Sequence, residues 1–180
     1  MRPTFRALCN ITHQRITVSL AASVHELAKI IGPTWASQDL LMPFFEWLNG
    51  NDEIRGRALA QLPTFLGHLR PNDAADTLHS VLAMWETGDF RNWRHREALA
   101  SHAPAILKVL MPMSHGDLAL DLLRSGLFDT FQAIREAAIK AVRGPSSRAQ
   151  SILANDFKSR YPNAFQLPRA EISCMSASSP

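Results

Sequence analysis

His25 and Glu26 are the first pair in this sequence that could do chemistry, because a helical His-Glu-x-x-His run holds zinc and supplies a base. The position where the second histidine belongs is Lys29, so the motif lacks a ligand. The histidines, His13, His25, His68, His79, His95, His102 and His115, share no other ligand spacing. Cys9 and Cys174 stand far apart, with no CxxC pair to suggest zinc or a disulfide framework. No Gly-x-Ser-x-Gly elbow, glycine-rich phosphate loop or Cys beside a His offers an activated nucleophile. The carboxylate pair Asp52-Glu53 fits a turn leading into a helix N-terminus, where negative charge is favoured. Neither catalysis nor a cofactor or metal is expected.

Charge narrows the classes further. The chain of 180 residues carries 19 Lys and Arg against 16 Asp and Glu, a net +3. That mild excess does not by itself announce a nucleic-acid binder. No apolar run approaches the length needed to span a bilayer, and no membrane partner is expected.

The elements that must position these side chains are helices. From Ile54, the residues Ala58, Leu59, Leu62, Phe65, Leu66 and Leu69 keep one helical face apolar for four turns. The same offsets recur from Ile16, from His95 and from Ile134, at a period of about forty residues. His95 falls on this apolar face, which predicts a hydrogen-bonded, partly buried histidine. Between these helices lie others in a shared phase, marked by Leu40/Phe44, Leu78/Leu82 and Leu118/Leu122. The first long helix should run from about His13 to Ile31 and close at Gly32-Pro33. Ser37 is the expected N-cap of the next helix, and Pro43 should kink it. Ser114-x-x-Asp117 has the form of a capping box. Turns are expected at 49–52, 87–92 and 126–132.

The fold class expected is all-α: an α-solenoid spanning residues 1–161, with three complete helix pairs and incomplete pairs at both ends. Residues 149–161 would supply one more outer helix, and residues 162–180 an irregular, disordered tail. Read this way the chain is a portion of a longer solenoid, and its exposed apolar ends predict self-association.

A helix pair of this length, with a proline in the first helix and an apolar-Arg step opening the second, resembles the HEAT repeat. Ile54-Arg55 and Ile134-Arg135 carry the step, with Asp52 and Asp129 shortly before it. The resemblance implies a ladder of hydrogen bonds along the turns, made by Asp52, Arg55, Arg96, Asp129 and Arg135. Ile16-Thr17 and His95-Arg96 depart from the step, so a weaker ladder is expected there. Asn92-Trp93-Arg94-His95-Arg96-Glu97-Ala98, followed by Ala103-Pro104, resembles the phosphatase 2A scaffold family. The run from Leu20 to Gly32, LAASVHELAKIIG, is similar to the phosphatase 4 regulatory-subunit branch of that family. The likeness covers roughly Ile16 to Val142. It implies a non-catalytic scaffold or regulatory subunit whose partner is a serine/threonine phosphatase catalytic subunit of the phosphatase 4 or 2A type. The cytoplasm is the compartment that goes with it, and the nucleus the second.

Aromatic and arginine side chains are enriched at interface centres. Of Trp35, Trp47, Trp85 and Trp93, the last two flank the densest such stretch, WETGDFRNWRHR. Trp85, Asp89, Phe90, Arg91, Trp93 and Arg94 are therefore the expected partner contacts. Two other readings fit a HEAT solenoid: an adaptor of the nuclear-transport kind, and a DNA glycosylase with a basic concave face. The latter would use Arg55, Arg57, Arg94, Arg96, Arg135 and Lys140, although Glu97 and Glu136 interrupt that stripe, and nucleic acid is not the expected partner.

Overall fold

The computed structural model describes residues 13–143, together with Asn155 and Ser159. The expectations for the lead-in, for the helix at 149–161 and for the tail lie outside the described residues, as do Cys9 and Cys174.

Helices account for almost all of the described chain, in the order α1 (Gln14–Ile31), α2 (Pro33–Asp39), α3 (Leu41–Leu48), α4 (Asp52–Leu66), α5 (Pro71–Glu86), α6 (Trp93–Leu110), a 3₁₀ turn (Met111–Met113), α7 (Gly116–Leu127) and α8 (Gln132–Arg143). The described residues contain no strand. The four helices with the shared apolar offsets, α1, α4, α6 and α8, pack on one another in that order and form the inner layer. Helices α2–α3, α5 and α7 form the outer layer, so the fold is an α-solenoid of three helix pairs behind an unpaired α1. Each pair leaves an apolar stripe uncovered until its neighbour stacks, which makes one continuous core.

Sequence periodicity and burial agree closely in the inner layer. Ala58, Leu59, Leu62, Phe65 and Leu66 are all fully buried, and so are Leu99, Ala100, Ala103 and Ile106. His95 is 6% exposed, as its place on the apolar face requires.

The helix ends explain the turns. Asn51 and Asn92 cap α4 and α6, their side-chain oxygens accepting from the Ile54 and Arg94 amides at 3.0 and 3.1 Å. Pro71 begins α5, where its missing N–H costs nothing. Gly32 closes α1 with φ of 80°, and Gly88 has φ of 81° after α5; a side chain at either position would be strained. Pro43 has no N–H to give the Asp39 carbonyl, and the outer helix breaks nearby at Leu40 into α2 and α3.

Two expected caps are not formed. Ser37 lies inside α2, buried, and its hydroxyl accepts the Arg70 amide at 3.2 Å, tying one outer helix to the start of the next. Ser114 adopts a left-handed conformation, φ 63°, that ends the 3₁₀ turn, and α7 starts at Gly116 without a side-chain cap. The extra turn after α6 consumes the residues that the capping box needed.

The closest approach between layers is at Gly126. A Cβ there would lie 3.0 Å from that of Ala138 and 3.2 Å from that of Ala100, so α7 can seat between α6 and α8 only because the residue is glycine. Gly126→Val should therefore destabilise the chain by about 3 kcal/mol, since rigid Cβ atoms cannot move aside. Leu62→Asp, which drives a carboxylate into the core, should abolish cooperative melting in circular dichroism. A wild-type melt for Leu62→Asp would contradict the inner-layer assignment.

Candidate functional site

The turns that join outer to inner helices line up along one edge of the solenoid, and an arginine closes each of them. Arg55, one turn into α4, donates from Nε to the Leu48 carbonyl and from Nη2 to the Gly50 carbonyl at 3.2 Å. Arg135 in α8 donates from Nη1 to the carbonyls of Asp129 and Thr130, at 2.9 and 2.8 Å. Arg96 in α6 donates from Nη1 to the Phe90 carbonyl and bridges to the next repeat, reaching Asp129 through Nε at 2.7 Å and Nη2 at 3.3 Å. The carbonyls at the C-terminal end of a helix have no partner within the helix. A guanidinium, with five donors in a planar fork, satisfies several such turn carbonyls at once.

Repeats are also joined across the edge. Gln14 donates to Glu53 at 3.1 Å, and Asn92 donates to the Asp52 carboxylate at 2.9 Å. His95 Nε2 lies 3.1 Å from the Asp52 carbonyl. A carbonyl only accepts, so Nε2 carries the proton and Nδ1, 4.0 Å from the Asp52 carboxylate, is bare. Burial pushes the pKa of His95 below its ordinary 6.5, outweighing the opposing pull of the Asp52 carbonyl and carboxylate. Burial does the same for His102, against its bond to the Leu59 backbone. At Asp129 burial acts upward, but hydrogen bonds from Arg96 and the Phe131 amide, with the Arg96 charge, hold the carboxyl below 3.8.

The position expected to have the weakest rung has the most extensive one. His95 replaces the apolar residue of the step without displacing Arg96, whose side chain and that of Asp129 are only 12% and 5% exposed.

The expected contact residues separate into two groups. Trp85 is 8% exposed and Phe90 is fully buried, so neither presents a face to a partner: Phe90 lies under the Arg55 guanidinium, 5.9 Å from ring centre to Cζ, and edge-on to His95. Asp89, Arg91 and Arg94 are exposed and Trp93 is half-buried. Asp89 accepts from the Thr87 hydroxyl at 2.7 Å. Trp93 stacks nearly parallel to Phe131, with ring centres 6.3 Å apart and planes 12° from each other, and Arg94 lies over the Trp93 ring at 4.8 Å.

Phe128 and Phe131, 65% and 46% exposed, complete this patch and were not among the expected residues. Their signal lay in comparing the turns. Aligned on Ile54, His95 and Ile134, the cap position is Asn51 in one turn, Asn92 in the next and Phe131 in the third.

Among the described residues no cluster of three or more His, Cys, Asp or Glu could hold a metal. His25 Nε2 lies 3.4 Å from Glu26 on an otherwise unremarkable stretch of α1. The arginines grouped earlier on the concave face are not equivalent there: Arg55, Arg96 and Arg135 are turned into the turns, while Arg57, Arg94 and Lys140 are exposed.

Comparison with known proteins follows the same path as the residues. The chain is similar to serine/threonine-protein phosphatase 4 regulatory subunit 1 of Homo sapiens, Mus musculus and Rattus norvegicus, each 28% identical over 142 residues. The matched region is 79% of this chain and 15% of each relative, so the chain spans only a small part of their length. No family model matches the chain, and no solved structure does.

Two outcomes test the edge. Arg96→Ala would leave the Asp129 carboxylate buried without its counter-ion and should cost about 3 kcal/mol in urea unfolding. Asp129 has a folded pKa below its unfolded one, so its contribution is present above pH 3.8 and lost as pH falls through the folded value. The stability gap between wild type and Asp129→Asn should accordingly close in acid. His95 and His102 act in the opposite range: their depressed pKa values mean that the unfolded chain binds protons first, so Tm should fall as pH drops below 6.5. His102→Gln should flatten that slope.

Proposed function

We propose that this chain is a non-catalytic scaffold segment that binds a serine/threonine phosphatase catalytic subunit, of the phosphatase 4 or 2A type, along its turn edge. The similarity to phosphatase 4 regulatory subunits through 142 residues is the observation that carries the reading. It runs through most of the stacked repeats rather than through one isolated motif. Physically, a scaffold needs a broad surface held rigid by its own core, with a few unburied aromatic and arginine anchors. The edge around Trp93 has that construction. Arg91, Arg94, Phe128 and Phe131 reach solvent there, while the backbone beneath them is fixed by Arg96 and Asp129. A generic adaptor would share the rigid frame but has no comparable similarity behind it. A glycosylase would need a continuous cationic inner face, and three of the arginines in that face are spent on the turns.

The test is a pull-down of purified phosphatase 4 catalytic subunit by the immobilised chain, with Trp93→Ala/Arg94→Ala as comparison. Wild type should retain the catalytic subunit, and the double variant should retain at least tenfold less, the loss expected for an interface anchor. Failure of the folded wild-type chain to retain either a phosphatase 4 or a phosphatase 2A catalytic subunit would reject the reading.

A further inference from the structure

We infer that the Trp93–Phe131 edge binds an extended acidic segment carrying an apolar side chain, an inference that rests on the reading of the chain as a partner-binding solenoid. Three observations converge on it. The first is a broken local rule. Phe131 occupies the position where Asn51 and Asn92 cap the other inner helices, and an apolar residue is among the poorest caps. Asp129 takes over the accepting role, receiving the Phe131 amide at 2.9 Å, and the ring is left standing in solvent. A sequence that gives up a cap for an exposed phenyl ring has a use for the ring.

The second observation is the arrangement of the rings. Phe131 and Trp93 come from adjacent repeats and stack in parallel, with Arg94 over one ring and Arg96 at 5.3 Å from the other. Phe128 adds a further exposed phenyl from the same turn. The stack offers an apolar floor wide enough for one branched or aromatic side chain.

The third is the balance of charge. Among the described residues, Arg91 and Arg94 make no ion pair with any carboxylate. The nearby carboxylates are occupied: Asp129 by Arg96, Asp52 by Asn92, and Asp89 by Thr87. Two cations without counter-ions beside bare rings would be desolvated at a cost by a purely apolar partner and would repel a basic one. An acidic segment supplies both needs, its carboxylates to the guanidiniums and its apolar residue to the rings. Single-stranded nucleic acid also uses arginine and stacking, but its backbone would continue onto neighbouring turns that carry Asp52, Glu53 and Asp89.

Fluorescence anisotropy with the full chain tests the inference. The probes are a labelled peptide of glutamates flanking two leucines, the same peptide with lysine for glutamate, and a labelled single-stranded thymidine oligonucleotide. The glutamate peptide should bind, and Arg94→Glu should weaken it about tenfold or more. Phe131→Ala should weaken it without altering the thermal melt, because the ring is not core, and Arg94→Lys should retain part of the affinity. No binding of the glutamate peptide, equal binding by a folded Arg94→Glu chain, or tighter binding of the lysine peptide or the oligonucleotide would each overturn the inference. Purified phosphatase 4 catalytic subunit, titrated in parallel, separates the two readings. Arg94-dependent peptide binding without capture of the catalytic subunit leaves the acidic-segment inference standing and removes the phosphatase. Capture that Arg94→Glu leaves unchanged does the reverse.

Discussion

A helix pair can stack on its neighbours only if the turn between its helices holds one shape, and here an arginine guanidinium holds it. The outer helices end in carbonyls with no partner of their own, and the turn that follows is too short to hide them from the next repeat. Arg55, Arg96 and Arg135 fold back from the first turn of their inner helices onto these oxygens. Because the guanidinium is planar and permanently charged, it can serve two or three acceptors in one fixed geometry. A lysine at the same place would offer one rotatable point of attachment. Fixing the turn fixes the angle at which the inner helix leaves it, and the stacking of α1, α4, α6 and α8 follows from repeating that angle.

How much of this was legible in the sequence depended on how far a signal reached. The inner-helix stripe repeats often enough that periodicity alone identifies its buried face, from Ile54 to Leu66 and from His95 to Leu110. The arginine step was legible too, because it recurs at the same phase. Ser37 was not, since a serine after a loop looks the same whether its hydroxyl caps its own helix or accepts the Arg70 amide of the next repeat. Only the packing of two outer helices decides between them. The Ser114 box failed for a related reason: a 3₁₀ turn extends α6 and moves the start of α7 past the serine.

The aromatic residues show the limit most clearly. Trp85, Phe90 and Trp93 lie within one short stretch, yet the first two are core and the third is half-buried on the edge. Composition cannot separate them, because burial in a turn depends on which side faces the previous repeat. Phe90 points back, beneath Arg55, where it packs against the clamp of the neighbouring turn. Phe131 stands two positions later in its own turn than Phe90 does, and that displacement carries its ring outward. Register within the turn, rather than residue type, sorts anchors from core.

That sorting gives the edge a property no single repeat possesses. Trp93 opens α6 and Phe131 precedes α8, so their stack exists only while the two repeats are docked. The same junction is held by the Arg96–Asp129 pair and by the close seat of Gly126 between Ala100 and Ala138. In a solenoid, stability is a sum of repeat terms and nearest-neighbour interfaces. A partner spanning both rings binds the docked arrangement and not the separated one, so its binding energy adds directly to that one interface. The contact surface and the structural clamp are thus two faces of the same junction: the polar side sets its geometry, and the aromatic side is free to face a partner.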